Sequence, residues 1–163
     1  MKTKLSIVVL VVFGMVLMGS SVAHCVSATA DVTANLIAPI TIENTQALSF
    51  GEIVADDANS GTVVVDTDGV RTANSVIATG GTVSQASFSL GGESDHSYSV
   101  YIPGSVTIKA NSGENSMIVE HFTSDKTNTS IPDTLNIGAT LNIKAAQATG
   151  NYTGTFSIDV NYD

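Results

Sequence analysis

A strict alternation of apolar and polar residues near the end of the chain limits its fold more than any other feature. From Tyr152 onward, the even positions are Tyr, Gly, Phe, Ile, Val and Tyr, whereas the odd positions are Thr, Thr, Ser, Asp, Asn and Asp. A second run, from Leu135 to Lys144, alternates in the same way. Side chains with a period of two point to opposite faces of a strand, so both runs predict half-buried β-strands. We expect Tyr152 to Tyr162 to form one long strand.

Shorter alternating runs lie upstream, at residues 86–90 and 96–102, and turn sequences separate them. These turn sequences include Asp68-Gly69, Gly80-Gly81, Gly91-Gly92, Pro103-Gly104 and Pro132-Asp133. No stretch after residue 28 keeps the 3.6-residue period of an amphipathic helix. Eight to ten short strands at this spacing predict an all-β protein, an immunoglobulin-like β-sandwich.

The start of the chain is typical of an export signal. Lys2 and Lys4 precede an apolar run from Leu5 to Met18, and small residues at 26–28 offer a cleavage site. We therefore predict a signal peptide at residues 1–28 and export through the inner membrane. Cys25, the single cysteine, falls inside this segment, so the remaining chain would have no disulfide.

The charge balance excludes one class of partner. After residue 28, 15 acidic residues stand against four basic ones, which leaves a formal charge of −11. A nucleic-acid-binding protein needs a basic face that neutralises phosphates. We expect no nucleic acid among the partners.

The segment that follows the signal peptide is interrupted by a proline. Apolar residues share one parity from Val32 to Ile42, but Pro39 lies in the middle of this run. Proline cannot donate a hydrogen bond to a sheet, so it marks an edge or a change of partner. The simplest interpretation is two pieces, with one ending at Ala38 and an intrinsic first strand starting at Ile40.

The two ends together resemble the subunits of chaperone-usher pili. The last strand of those subunits carries a penultimate Tyr and a Gly fourteen residues from the end, and here Tyr162 and Gly150 occupy these places. The sequence from Val32 to Ile42 is similar to the donor strand and proline that open the alpha-class, colonisation-factor-type pilins. The pilins of type 1 fimbriae usually have a disulfide near their first strands. Its lack after residue 28 favours the alpha class or a relative outside the true pilins.

The resemblance implies an incomplete sandwich whose groove is filled by a donor strand from another copy. The domains would be the signal peptide at 1–28, a donor strand at 29–38 and a pilin-like sandwich at 39–163. The donor side chains would be Val32, Ala34, Leu36 and Ala38. The C-terminal strand that faces the chaperone and usher would contribute Gly150, Tyr152, Phe156, Ile158, Val160 and Tyr162.

The function implied by the resemblance is that of a structural fimbrial subunit supporting adhesion or biofilm formation. Its partners would be other copies of itself in a head-to-tail polymer, a periplasmic chaperone and an outer-membrane usher. It would pass through the periplasm to the cell surface. The alternative is a self-complete secreted sandwich, a coat or binding protein that does not polymerise. Two runs, Ala38 to Ile42 and Leu48 to Gly51, together with the ending from Tyr152 to Phe156, also look like a family of small secreted bacterial domains without an assigned function.

The sequence shows little catalytic or metal-binding chemistry. Ser94, Asp95 and His96 are triad residue types, but neighbours in sequence rarely adopt triad geometry, and a turn explains them better. Asp66 to Gly69 begins like a calcium loop, yet the glutamate expected at its twelfth position is replaced by Ile77. His121 is predicted to face solvent, opposite Ile118 and Phe122. We expect no catalytic residues, no metal, no cofactor and no enzyme activity.

Overall fold

The computed structural model describes residues 25–111, 113–126, 131 and 133–163. Most of the predicted signal peptide lies outside these residues. The described residues contain no helix, and therefore none that could cross a membrane. Their strands, in chain order, are β1 (Thr41–Gln46), β2 (Ser49–Phe50), β3 (Ile53–Val54), β4 (Gly61–Val65), β5 (Arg71–Asn74), β6 (Ile77–Ala78), β7 (Val83–Ser84), β8 (Ala86–Gly91), β9 (Tyr98–Tyr101), β10 (Ser105–Ala110), β11 (Ser116–Ser124), β12 (Asp133–Ile143), β13 (Tyr152–Thr153) and β14 (Asp159–Tyr162).

The central element is β12, an eleven-residue strand that pairs antiparallel on both edges. One edge pairs with β11. On the other edge, the first half of β12 pairs with β8, and the second half pairs with β4. Gly138 lies where the partner changes, and a Cβ there would come within 2.4 Å of the Val65 carbonyl oxygen. The missing side chain therefore allows two different strands to share one edge.

Pairing extends outward from β12 into a curled sheet of eight strands. Its order is β1-β8-β12-β11-β10-β13, with β4 and β5 branching from β12. Three two-stranded ladders, β14-β9, β2-β7 and β3-β6, complete the β-sandwich. The predicted all-β fold class is confirmed. The hairpin from β4 to β5 turns at Asp66–Gly69, where the Asp66 carboxylate accepts hydrogen bonds from the Asp68 and Val70 amides.

Two clusters of buried side chains form the core, and β12 contributes to both. The Leu135 cluster consists of Ala86, Leu90, Tyr98, Ile131, Leu135, Ile137 and Ile158. The Leu141 cluster consists of Val63, Val119, Ala139, Leu141 and Ile143. Every odd residue of β12 from Leu135 to Ile143 is buried, as the alternation predicts.

The prediction of one long strand from Tyr152 to Tyr162 was wrong. β13 covers the first two of these residues and β14 the last four, and Gly154–Ile158 pair with no strand among the described residues. The alternation still holds within that gap, where Ile158 is buried and Phe156 is half-buried. Alternation indicates that one face is covered, but it does not supply a hydrogen-bonded neighbour for the backbone.

The predicted face of β11 also needs correction. The pairing of β11 with β12 shifts register between Glu120 and Thr123, and His121 adopts a φ of 51°. A bulge of this kind reverses the alternation along the strand. Val119 is therefore buried and Ile118 exposed, whereas Phe122 still packs inward. The side chain of His121 is exposed, as predicted.

Candidate functional site

An open groove of about 1000 Å³ runs over the Leu141 cluster. One wall is the segment Ala47–Ala55, and the opposite wall is the segment Thr149–Phe156. The floor between them is formed by apolar side chains of β10, β11 and β12. These floor residues are Val106, Ile108, Met117, Val119, Phe122, Leu141 and Ile143.

The first wall consists of short strands that a single guanidinium holds in place. Nη1 of Arg71 donates to the carbonyl oxygens of Phe50 (3.0 Å) and Gly80 (3.2 Å). Gly51 lies beneath this group with a φ of 72°, and a Cβ there would come within 2.4 Å of Arg71 Nη1. The wall therefore depends on Gly51, which the sequence analysis named only within a resemblance, and on Arg71, which it did not single out. That Arg71 is the only arginine in the chain is the signal that could have drawn attention to it.

The second wall is the first half of the predicted C-terminal strand. Tyr152 anchors its start, because its hydroxyl donates to the Ala148 carbonyl oxygen (2.7 Å) and accepts from Gln147 Nε2 (2.9 Å). Gly150 is exposed and has open space around it. At Gly154 a Cβ would come within 2.8 Å of Ile108 Cγ2, so glycine lets this wall approach β10 closely.

Phe156 closes the groove where the two core clusters meet. Its ring centroid lies 5.0 Å from that of Phe122 and 6.1 Å from that of Phe88, the latter pair edge to face. The edge-to-face geometry of the Phe88 pair is a favourable one for aromatic rings. Beyond it, Val160 and Tyr162 pack against the Leu135 cluster. Of the six predicted C-terminal residues, three therefore line the groove: Gly150, Tyr152 and Phe156. The other three, Ile158, Val160 and Tyr162, belong to the Leu135 cluster or pack against it.

The predicted donor side chains are exposed. Residues 25–39 form no strand and are exposed, with Val32 94% and Leu36 90% accessible. Residues 25–35 form a unit separate from residues 36–163. Both side chains are therefore accessible to another molecule.

Ala38 differs from the rest of this segment, because its backbone is bound. Its amide donates to Oε2 of Glu93 (3.1 Å), and its carbonyl oxygen accepts from the Tyr162 hydroxyl (2.9 Å). Sequence reasoning identified Tyr162 but not Glu93. Tyr162 and Glu93 belong to the end of the domain where β14 and β8 finish.

The charged groups with altered pKa values lie near the ends of strands. The Asp133 carboxylate accepts a hydrogen bond from Lys126 and raises the pKa of that lysine. The amide of Ala58, together with the side chain and amide of Asn59, lowers the pKa of Asp56. The first arrangement links the chain after β11 to the start of β12. The second stabilises the loop that follows β3. No three His, Cys, Asp or Glu side chains of the described residues are grouped to hold a metal ion.

Comparisons with known proteins identify a family. Searches of curated proteins and of solved structures found no match. The model of DUF4402, described as a domain of unknown function, matches residues 40–162, which include the whole groove and every strand from β1 to β14. The chain therefore belongs to the DUF4402 family.

Proposed function

We propose that this protein is a structural subunit that polymerises head to tail, with the groove of each copy filled by residues 29–38 of another copy. Residues 29–38 are called the donor segment below. The observation that carries the proposal is the groove itself, an apolar trough beside a backbone stretch, Gly154–Ile158, that has no sheet partner among the described residues. An extended peptide can satisfy both needs at once, because its backbone adds to a sheet edge and its alternate side chains enter the trough.

The donor segment has the pattern that this role requires. Val32, Ala34 and Leu36 share one parity, and Asp31, Thr33 and Asn35 share the other. Burying the two larger side chains would contribute about 1.5–3 kcal/mol each. The only charged residue of the segment, Asp31, falls on the parity that would face solvent.

Such a contact joins two different surfaces, the donor segment of one copy and the groove of the next. A heterologous contact that does not close on itself generates a filament rather than a ring or a dimer. The expected product is a fibre at the cell surface that supports adhesion or biofilm formation. In the periplasm, a chaperone would cover the same groove before an outer-membrane usher assembles the subunits.

The proposal can be tested with a chain that starts at Thr29, followed by size-exclusion chromatography and negative-stain microscopy. We expect fibres from the wild type and none from Leu36→Asp, because an unpaired carboxylate buried in the groove costs several kcal/mol. Asn35→Asp is the matched control, since it adds the same charge on the opposite parity and should still polymerise.

A variant without residues 29–37 provides a second measurement. It keeps the groove and should stay folded, and a synthetic peptide of residues 29–38 should raise its melting temperature in a concentration-dependent way. If the wild type stays monomeric even with chaperone and usher present, and the truncated chain unfolds, the protein is a self-complete sandwich and the proposal is wrong.

A further inference from the structure

The point where the donor segment joins the domain is held by residues that are far apart in sequence. Ala38 bonds through its amide to Glu93 and through its carbonyl oxygen to Tyr162, 55 and 124 residues away. The Tyr162 hydroxyl also accepts a hydrogen bond from the Glu93 amide at 2.6 Å. Tyr162, Glu93 and Ala38 thus form a closed set of three hydrogen bonds, which we name the clasp.

The surroundings of Tyr162 fix its hydroxyl in this position. The Tyr162 ring lies edge-on to His96 with centroids 5.6 Å apart. At Gly92 a Cβ would come within 2.4 Å of the Tyr162 hydroxyl oxygen, so only glycine leaves room for it there. The pairing of β14 with β9 fixes the backbone of Tyr162 opposite Tyr98.

The strand that follows the clasp is held by hydrogen bonds and not by buried side chains. Asn44 and Thr45 donate from their side chains to the Ser87 carbonyl oxygen. Gln46 donates in the same way to the Gln85 carbonyl oxygen. All six side chains of β1 are exposed, and β1 pairs with β8 alone among the described strands. That pairing is interrupted between Asn44 and Gln46. Apart from the ladder, Ile40 is the one apolar side chain between residues 38 and 46 that packs against the core. A strand without buried side chains contributes little to global stability and opens locally at low cost.

We propose that Tyr162 and Glu93 are positioning residues that hold the root of the donor segment and so set where the folded domain ends. Without the clasp, residues 38–46 open more often, because β1 has hydrogen bonds to β8 but no buried side chain. Each opening frees nine more residues, which adds roughly 30 Å of reach at about 3.3 Å per residue. In a fibre, a role that rests on the proposed function, this slack loosens the spacing between neighbouring subunits.

Hydrogen exchange with mass spectrometry tests the clasp in the chain that starts at Thr29. In Tyr162→Phe, we expect peptides covering residues 38–46 to exchange roughly tenfold faster, because the variant loses two of the three clasp hydrogen bonds, while β12 peptides remain unchanged. Tyr152→Phe is the matched control, since it removes another bonded hydroxyl from the same C-terminal region and should leave residues 38–46 protected.

Variants at position 93 test the second arm of the clasp. Glu93→Ala should accelerate the same peptides, and Glu93→Gln, which keeps an acceptor oxygen, should restore most of the protection. If Tyr162→Phe does not fold, Glu93→Ala and its rescue by Glu93→Gln must show the local effect on their own. Unchanged exchange in these variants, or an equal change in Tyr152→Phe, would overturn the proposal.

The assembly readout separates this inference from the proposed function. If the wild type forms fibres, those of Tyr162→Phe should show a shorter persistence length in electron micrographs. A wild type that forms no fibres contradicts the proposed function but leaves the exchange result valid. Fibres of unaltered stiffness combined with faster exchange would show that the clasp sets the domain boundary without influencing spacing, and would contradict that part of the inference.

Discussion

The two core clusters share one strand yet differ in how they are covered. β12 supplies Leu135 and Ile137 to the first cluster and Leu141 and Ile143 to the second, all at most 4% exposed. The Leu135 cluster lies beneath the paired strands β9 and β14. The Leu141 cluster lies beneath the groove, which encloses a volume of about 1000 Å³ between its walls. Paired strands thus cover the Leu135 cluster, whereas an open groove lies over the Leu141 cluster. A partner that fills this groove can add stability there.

The largest expected effect comes from a truncation in the closed cluster. Leu135 is fully buried, so Leu135→Ala should lower the free energy of unfolding by about 3 kcal/mol, through lost transfer energy and the cavity left behind. Ile108→Ala removes a half-buried side chain from the groove floor and should cost only about 1 kcal/mol. Urea unfolding of both variants measures the difference.

Filling the groove should reduce the difference between the stability costs of these two substitutions. With the donor peptide of residues 29–38 bound, Ile108→Ala should lose more stability than it does in the free domain, because its side chain becomes covered. The cost of Leu135→Ala should not change. Equal costs at both positions in the free domain would show that the groove floor is already as well packed as the closed core.

A second, smaller effect concerns the first wall of the groove. Gly51→Ala should destabilise the domain by roughly 2 kcal/mol, because a residue with a side chain is strained at a φ of 72° and its Cβ would displace Arg71. Gly104→Ala is the control, since nothing lies within 4 Å of a Cβ there. Thermal melts of the two variants compare them directly. A neutral Gly51→Ala would mean that the wall can move away from Arg71 without cost.

Sequence patterns predicted the buried face of β12 better than the walls of the groove. The alternation of Leu135 to Ile143 translated directly into buried residues, because it requires only one covered face. The pairing of Gly154–Ile158 could not be read in this way, since it depends on which strands reach that edge in three dimensions. The clasp was partly visible, as the penultimate tyrosine was identified, but its bond to Ala38 spans 124 residues and leaves no local pattern. The bulge at His121 likewise carries no signal in the alternation of its neighbours.

The smallest effect is a pH dependence in the loop after the first wall. The amides of Ala58 and Asn59 lower the pKa of Asp56, so its ionised form is favoured in the folded state. The resulting stabilisation is complete above the ordinary value of 3.8 and is lost as the pH falls through the lowered folded-state pKa. NMR titration of the Ala58 amide should show a midpoint below 3.8 in the wild type. A midpoint at or above that value would show that the loop does not hold the carboxylate.

The bond between Tyr162 and Ala38 also places the two ends of the folded domain side by side. Domains with adjacent ends tolerate circular permutation at exposed turns. A short linker could therefore join Asp163 to Ala38, with new termini opened at Gly104 in the turn between β9 and β10. If a donor segment were added to the new N-terminus of this permutant, it would start from the turn between β9 and β10. For protein engineering, this makes the turn at Gly104 a better place for a fused passenger than the end of β14, where Tyr162 contacts the root of the donor segment.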